Sequence, residues 1–169
     1  MATATQSVQD RANAIPPGFS ENPTAWPRRR RLILLASIGL IVASYLTLYQ
    51  VHVFSTVFDP IFPDGSPQVL DLTSPVPDAG FGVVAYALEI VLSLIGPEDR
   101  WRTRPWITLA FGALVTGGAV VSVALILTQA IIVGAWCTLC LVSAGLSFAL
   151  FALGIPEGIA ALQELRRRG

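Results

Sequence analysis

The chain alternates between long uncharged apolar runs and short segments that carry almost all of its charge. The first run covers residues 32–49, close to the roughly 20 apolar residues that a helix needs to cross a hydrocarbon core of about 30 Å. A second covers residues 80–95 and is interrupted only by Glu89. Residues 107–155 contain no charge at all, about twice the length of one crossing, so this stretch predicts two helices joined by a tight turn. Trp106 opens the third span, the turn falls between residues 128 and 134, and the fourth span runs over about 135–153, before Gly154-Ile155-Pro156. The pattern predicts an all-α integral membrane protein, a four-transmembrane-helix bundle with an irregular outer loop between helices 1 and 2.

Charge gives the bundle a direction. Every one of the 11 basic residues is an arginine, and ten of them fall in three clusters: Arg28 to Arg31, then Arg100, Arg102 and Arg104, then Arg166 to Arg168. With four spans these clusters share one side of the membrane. The loop over residues 50–79 has no basic residue but holds Asp59, Asp64, Asp71 and Asp78. Positive residues stay cytoplasmic, which predicts an inner or plasma membrane protein with both termini inside and the loop outside. Residues 1–27, rich in proline and small polar side chains, read as a disordered cytoplasmic tail. Residues 28–155 form the membrane domain, and 156–169 a short cytoplasmic helix with Ile159, Leu162 and Leu165 on its lipid side. The apolar part of the first span exceeds a signal-peptide core and no small-x-small site follows it, so it is expected to stay uncleaved.

Composition agrees: 53% of the residues are hydrophobic and 13% charged, against about 25% charged in soluble domains. Arginines that flank apolar spans form no stripe on a folded face, which argues against a nucleic-acid partner. The outer loop combines turn formers with Phe54, Val57, Phe58, Ile61 and Phe62. Irregular but greasy backbone of this kind suggests a cap over the bundle, with a short amphipathic helix over residues 51–58.

The two cysteines form Cys137-Thr138-Leu139-Cys140 at the outer mouth of the last span. Residues i and i+3 share a helix face, so the sulfurs can close a disulfide or stand as a dithiol. The first helical turn favours a thiolate at Cys137, and Cys140, one turn deeper, faces a drier setting. Two inert buried thiols remain the alternative on spacing alone. With a single His52, the set falls short of a closed metal site, and no strand–helix pattern supports a thioredoxin-like domain.

Trp136-Cys137-Thr138-Leu139-Cys140 with Ser143-Ala144, Ala43-Ser44-Tyr45-Leu46-Thr47, and Val76-Pro77 followed by Gly82 and Tyr86 together resemble the vitamin K epoxide reductase family, bacterial branch. The resemblance covers residues 32–153 or so. It implies a four-helix bundle that holds a membrane quinone, ubiquinone or menaquinone, as substrate, with no metal. Cys140 would face the quinone and Cys137 would be its disulfide partner. Asp78, Tyr86 and Trp136 would line the quinone site. The family's loop carries two cysteines that relay disulfides; here the matching register has Phe58-Asp59 and Ser66. That departure leaves the pair dependent on an extracytoplasmic thioredoxin-like thiol protein. The competing readings are a non-catalytic membrane subunit and an accessory protein of the methylamine-utilisation type.

Glu89 lies mid-span, where an ionisable group is expensive and faces the interior. It is a candidate for proton handling, and the plainer reading is a structural hydrogen bond to Tyr45, Tyr86 or a serine. Trp101, Trp106 and Trp136 are expected to anchor the interfaces, and Gly112, Gly117, Gly118 and Gly134 to permit close helix approach.

Overall fold

The computed structural model describes residues 15–72 and 77–169. The expectation for residues 1–14 and the match at Val76 lie outside that range. Among the described residues the chain is all helical. Helix α1 is Trp26–Gln50, α2 is Gly65–Asp71, α3 is Asp78–Leu94, α4 is Arg100–Thr103, α5 is Pro105–Thr128 and α6 is Thr138–Arg168. A π-helical turn, Gln129–Val133, extends α5. Three helices are long and apolar enough to cross a membrane: Trp26–Gln50, Pro105–Val133 and Thr138–Arg168. Helix α3, at 17 residues, is the short one.

The elements differ from the expected ones in ways that packing explains. The third apolar helix runs on to Val133, and the bend falls at Gly134, which takes the left-handed conformation with φ 68°. Helix α6 does not stop at Gly154-Ile155-Pro156 but continues to Arg168. Arg28 donates to the Leu153 carbonyl at 3.0 Å, and Glu157, just past the proline, is held by Arg100. Tertiary bonds thus carry the helix across a residue that lacks its own N–H. The loop forms no helix over residues 51–58, since His52 sits at φ 60° and ends α1. Its helix is α2 instead, where Pro67 lies in the first turn and its missing N–H is not needed.

Small residues set the packing of α5 on α6. A Cβ on Gly112 would lie 3.0 Å from the Gly158 backbone, so the two helices meet almost backbone to backbone. Gly117 has no neighbour within 4 Å of its Cβ position, so it and Gly118 do not serve as contact glycines. Leu32, Ala36, Phe111, Val115 and Leu150 close the core at this end. Leu34, Ile41, Val120 and Val123 point outward, as lipid-facing side chains do.

The arginines are more deeply used than charge placement alone suggests. Arg29 and Arg100 are fully buried. Arg29 donates to the carbonyls of Gly96, at 2.7 Å, and of Pro97. Arg100 donates to those of Leu92 and, at 3.0 Å, Ile95, and pairs with buried Glu157. Together they take up the Leu92 carbonyl in the last turn of α3 and the Ile95, Gly96 and Pro97 carbonyls that follow it. Trp101 is carried inward with Arg100 and is buried, in contrast to its expected interfacial place, whereas Trp106 is exposed. Within residues 15–25, part of the expected tail, some side chains pack on the bundle. Thr24 is buried and donates to the Glu98 carbonyl, and Asn22 bonds the same oxygen at 2.9 Å.

Glu157→Leu is expected to destabilise the protein by about 3–5 kcal/mol, because it strands the Arg100 charge in the core. Arg100→Leu should cost more, since it also leaves the Leu92 and Ile95 carbonyls without their donor. The double replacement should recover part of the loss from Arg100→Leu, read as melting temperatures in detergent.

Candidate functional site

The Cys137–Cys140 disulfide lies at the start of α6, with Cα atoms 5.2 Å apart. Cys137 occupies the cap position, and its Sγ accepts from the Cys140 backbone N–H at 3.2 Å. The Cys137 N–H in turn donates to Gln129 Oε1 at 3.0 Å. Gln129 is itself buried, brought there by the π-helical turn at the end of α5.

The loop secures the other side of this helix start. Asp59 Oδ2 accepts from the Thr138 N–H at 2.7 Å and from the Ser66 hydroxyl. Its Oδ1 accepts from the Thr138 hydroxyl at 2.5 Å, from Phe62 N–H at 2.8 Å and from Ile61 N–H at 2.9 Å. One carboxylate therefore ties the loop to itself and to the first residue of α6. Burial alone would push its titration upward, but the bonds from Ser66, Thr138, Phe62 and Ile61 outweigh that and hold it well below the usual carboxylate range. Gly65 packs against the Trp136 backbone so closely that a Cβ would stand 2.4 Å from the Trp136 carbonyl oxygen. Tyr45 extends the anchoring: its hydroxyl accepts from Phe58 N–H at 2.8 Å, and its ring lies against Phe54 at 5.7 Å.

The two sulfurs consequently meet different surroundings. Cys137 has no exposed surface and packs with Leu46 and Leu70 beneath the loop. Cys140 borders a cavity of about 510 Å³ between α3 and α5, within the usual range for small-molecule sites. Cys137, expected from sequence to face an external thiol protein, is covered by the loop.

Tyr86 lies on the cavity wall, its ring passing over Gly39, where a Cβ would come within 2.5 Å of it. Its hydroxyl reaches α6, at 2.8 Å from the Ser143 carbonyl and 3.0 Å from the hydroxyls of Ser143 and Ser147. Asp78 also lines the cavity, where Gln50 donates to its carboxylate. Trp136 is not among the lining residues; its backbone supports the loop instead. Glu89 lines the cavity and is buried, but it makes none of the expected bonds. Tyr45 and Tyr86 are engaged elsewhere, and Glu89 Oε2 has no partner. His52 is exposed, away from the cavity. Among the described residues no three His, Cys, Asp or Glu side chains converge as a metal site would need.

Sequence reasoning missed Gln129, Thr138 and Ser66 as supports of the dithiol. Gln129 carried a signal, as a lone amide inside a charge-free apolar stretch. Asp59 was visible only as one of four loop acids.

Asp59→Asn should loosen the loop by about 1.5–3 kcal/mol, the cost of charge-assisted hydrogen bonds. Reduced Cys137 should then react at least about tenfold faster with a bulky water-soluble maleimide. The Asp59 contribution is present in full above its unfolded titration near pH 4 and is lost only as the pH falls through its depressed folded value. Limited proteolysis of the wild-type loop should therefore proceed alike at about pH 5 and pH 8.

The model of the vitamin K epoxide reductase family matches residues 30–155. None of the curated proteins compared matches the chain. The matched region contains the dithiol, the loop that covers it and the cavity beside it, and the chain belongs to the vitamin K epoxide reductase family.

Proposed function

We propose that this protein is a membrane thiol–quinone oxidoreductase in which Cys137 and Cys140 pass two electrons to a quinone held in the α3–α5 cavity. One observation carries the reading: Cys140 borders an apolar cavity while its disulfide partner Cys137 is sealed from it. The cavity suits a quinone by its chemistry. Its walls are mainly apolar, and the polar groups near Cys140 are the hydroxyls of Tyr86, Ser143 and Ser147, which can hydrogen-bond a carbonyl oxygen.

The chain's own groups suffice for the electron count. Oxidation of the dithiol to the disulfide releases two electrons and two protons, the number that quinone-to-quinol reduction takes up. The Cys140 sulfur would first bond to the quinone ring; Cys137, as the helix cap where N–H groups favour a thiolate, would then attack that sulfur and release the quinol. The direction of flow follows the potentials of the two couples, about tenfold in equilibrium constant per 30 mV.

In this reading α3 is the fourth crossing, its 17 residues being at the short limit for a span. The three arginine clusters lie on the cytoplasmic side and the dithiol opposite. A thioredoxin-like thiol protein supplies electrons from outside when the loop lifts from Cys137. Ubiquinone and menaquinone are both compatible with the wall chemistry.

A second reading rests on the loop. Phe58 and Ser66 stand where the resemblance expects cysteines, and Cys137 is fully buried. A subunit that kept the fold but lost the thiol relay would have both properties.

Purified protein in detergent should reduce a short-chain ubiquinone or menaquinone when driven by a small dithiol. Cys140→Ala and Cys137→Ala should each abolish this, with folding checked by melting temperature. Wild-type protein inactive toward both quinones and free of copurified quinone would leave the subunit reading standing.

A further inference from the structure

The cavity continues past Cys140 and Tyr86 to a group that the redox reading does not use. Glu89 is one helical turn beyond Tyr86 on the same face of α3, is 3% exposed and lines the same cavity. Its Oε2 has no hydrogen-bond partner. An unpaired carboxylate in an apolar wall at this depth is too costly to stand ionised, so the side chain is held as the neutral acid. A neutral acid is a hydrogen-bond donor, and among the described residues Oε2 is bonded to none.

The opposite wall adds a second, independent observation. Gly117 and Gly118 follow one another in the middle of α5, where each costs about 0.5–1 kcal/mol relative to alanine. Neither is needed for close helix contact, a part played by Gly112. A Cβ on Gly118 would face Glu89 Oε1 at 3.9 Å, and one on Gly117 would meet nothing. Gly118 thus leaves space facing the buried acid, and Gly117 keeps the adjoining stretch of the same cavity wall open.

From these observations we infer that Glu89, with the space that faces it at Gly118 and continues at Gly117, is a binding subsite for a carbonyl or hydroxyl oxygen of the ligand and the acid that protonates it. This deepens the thiol–quinone reading and rests on it for the identity of the ligand. The protons close as follows. The Cys140 sulfur, having lost its proton, bonds to a quinone ring carbon, and the displaced electron pair moves to a carbonyl oxygen, which takes the Glu89 proton. The Cys137 sulfur then attacks the Cys140 sulfur. The carbon–sulfur bond breaks with its pair entering the ring, and the second oxygen becomes a hydroxyl. The two thiol protons are thereby spent, one on that oxygen and one on restoring Glu89.

The test compares Glu89→Gln and Glu89→Leu in the full chain, using a short-chain quinone as probe. Gln keeps a hydrogen-bond donor but cannot transfer a proton, whereas Leu does neither. Glu89→Gln should bind the quinone within about threefold of wild type and turn over about a hundredfold or more slower. Glu89→Leu should weaken binding by about tenfold and raise the melting temperature of the quinone-free protein, since an unpartnered buried polar group is gone. The infrared band of a protonated carboxylic acid should shift when the quinone is added and be missing from both variants. Variants that turn over like wild type while Cys140→Ala is dead would overturn this inference and leave the redox reading intact. A lowered melting temperature in Glu89→Leu, with activity tracking the folded fraction, would mark Glu89 as structural and overturn it as well. Should wild-type protein show no turnover, the infrared band decides: a quinone-induced shift supports the subsite, and an unmoved band overturns it.

Discussion

A helix end inside or beside a membrane has to find its missing hydrogen-bond partners within the chain, because lipid offers none. That constraint organises both ends of this bundle. At one end Arg29 and Arg100 reach the carbonyls at and beyond the end of α3. At the other, Asp59 and Gln129 take the N–H groups that open α6. The side chains that do this are charged or amide groups, buried almost completely. The dithiol sits where it does because the second set holds the first turn of α6 in place.

The same requirement explains which parts of the fold were legible in the sequence. Apolar run lengths located α1, α3, α5 and α6 and the pairing of α5 with α6, since a charge-free stretch twice one crossing has few alternatives. The ends were less legible. Pro156 is a helix breaker by local chemistry, yet Arg28 and Arg100 stabilise the turn around it from elsewhere in the chain. The helix in the loop moved from residues 51–58 to Gly65–Asp71 because Asp59 gathers the N–H groups of Ile61 and Phe62 into a turn ahead of it. No periodicity encodes such bonds between distant residues.

For the site, the spacing of Cys137 and Cys140 allowed a pair without requiring one, and the resemblance supplied their pairing together with Tyr86 and Asp78 as cavity residues. Trp136 illustrates the limit. Its place beside Cys137 made it a candidate wall residue, but the extended backbone before α6 turns this stretch toward the loop. Glu89 illustrates the converse. Its cost was visible in sequence as a lone acid in an apolar run, while its lack of a partner was visible only once Tyr45 and Tyr86 were seen to be committed elsewhere.

The burial of Cys137 under the loop, with Cys140 open to the cavity, makes one covalent bond the border between two environments. A reagent in the cavity would meet Cys140 first, and one dissolved in water would meet the loop before it met Cys137. The fold gives the two halves of one disulfide unequal surroundings, one covered by protein and one beside an open cavity.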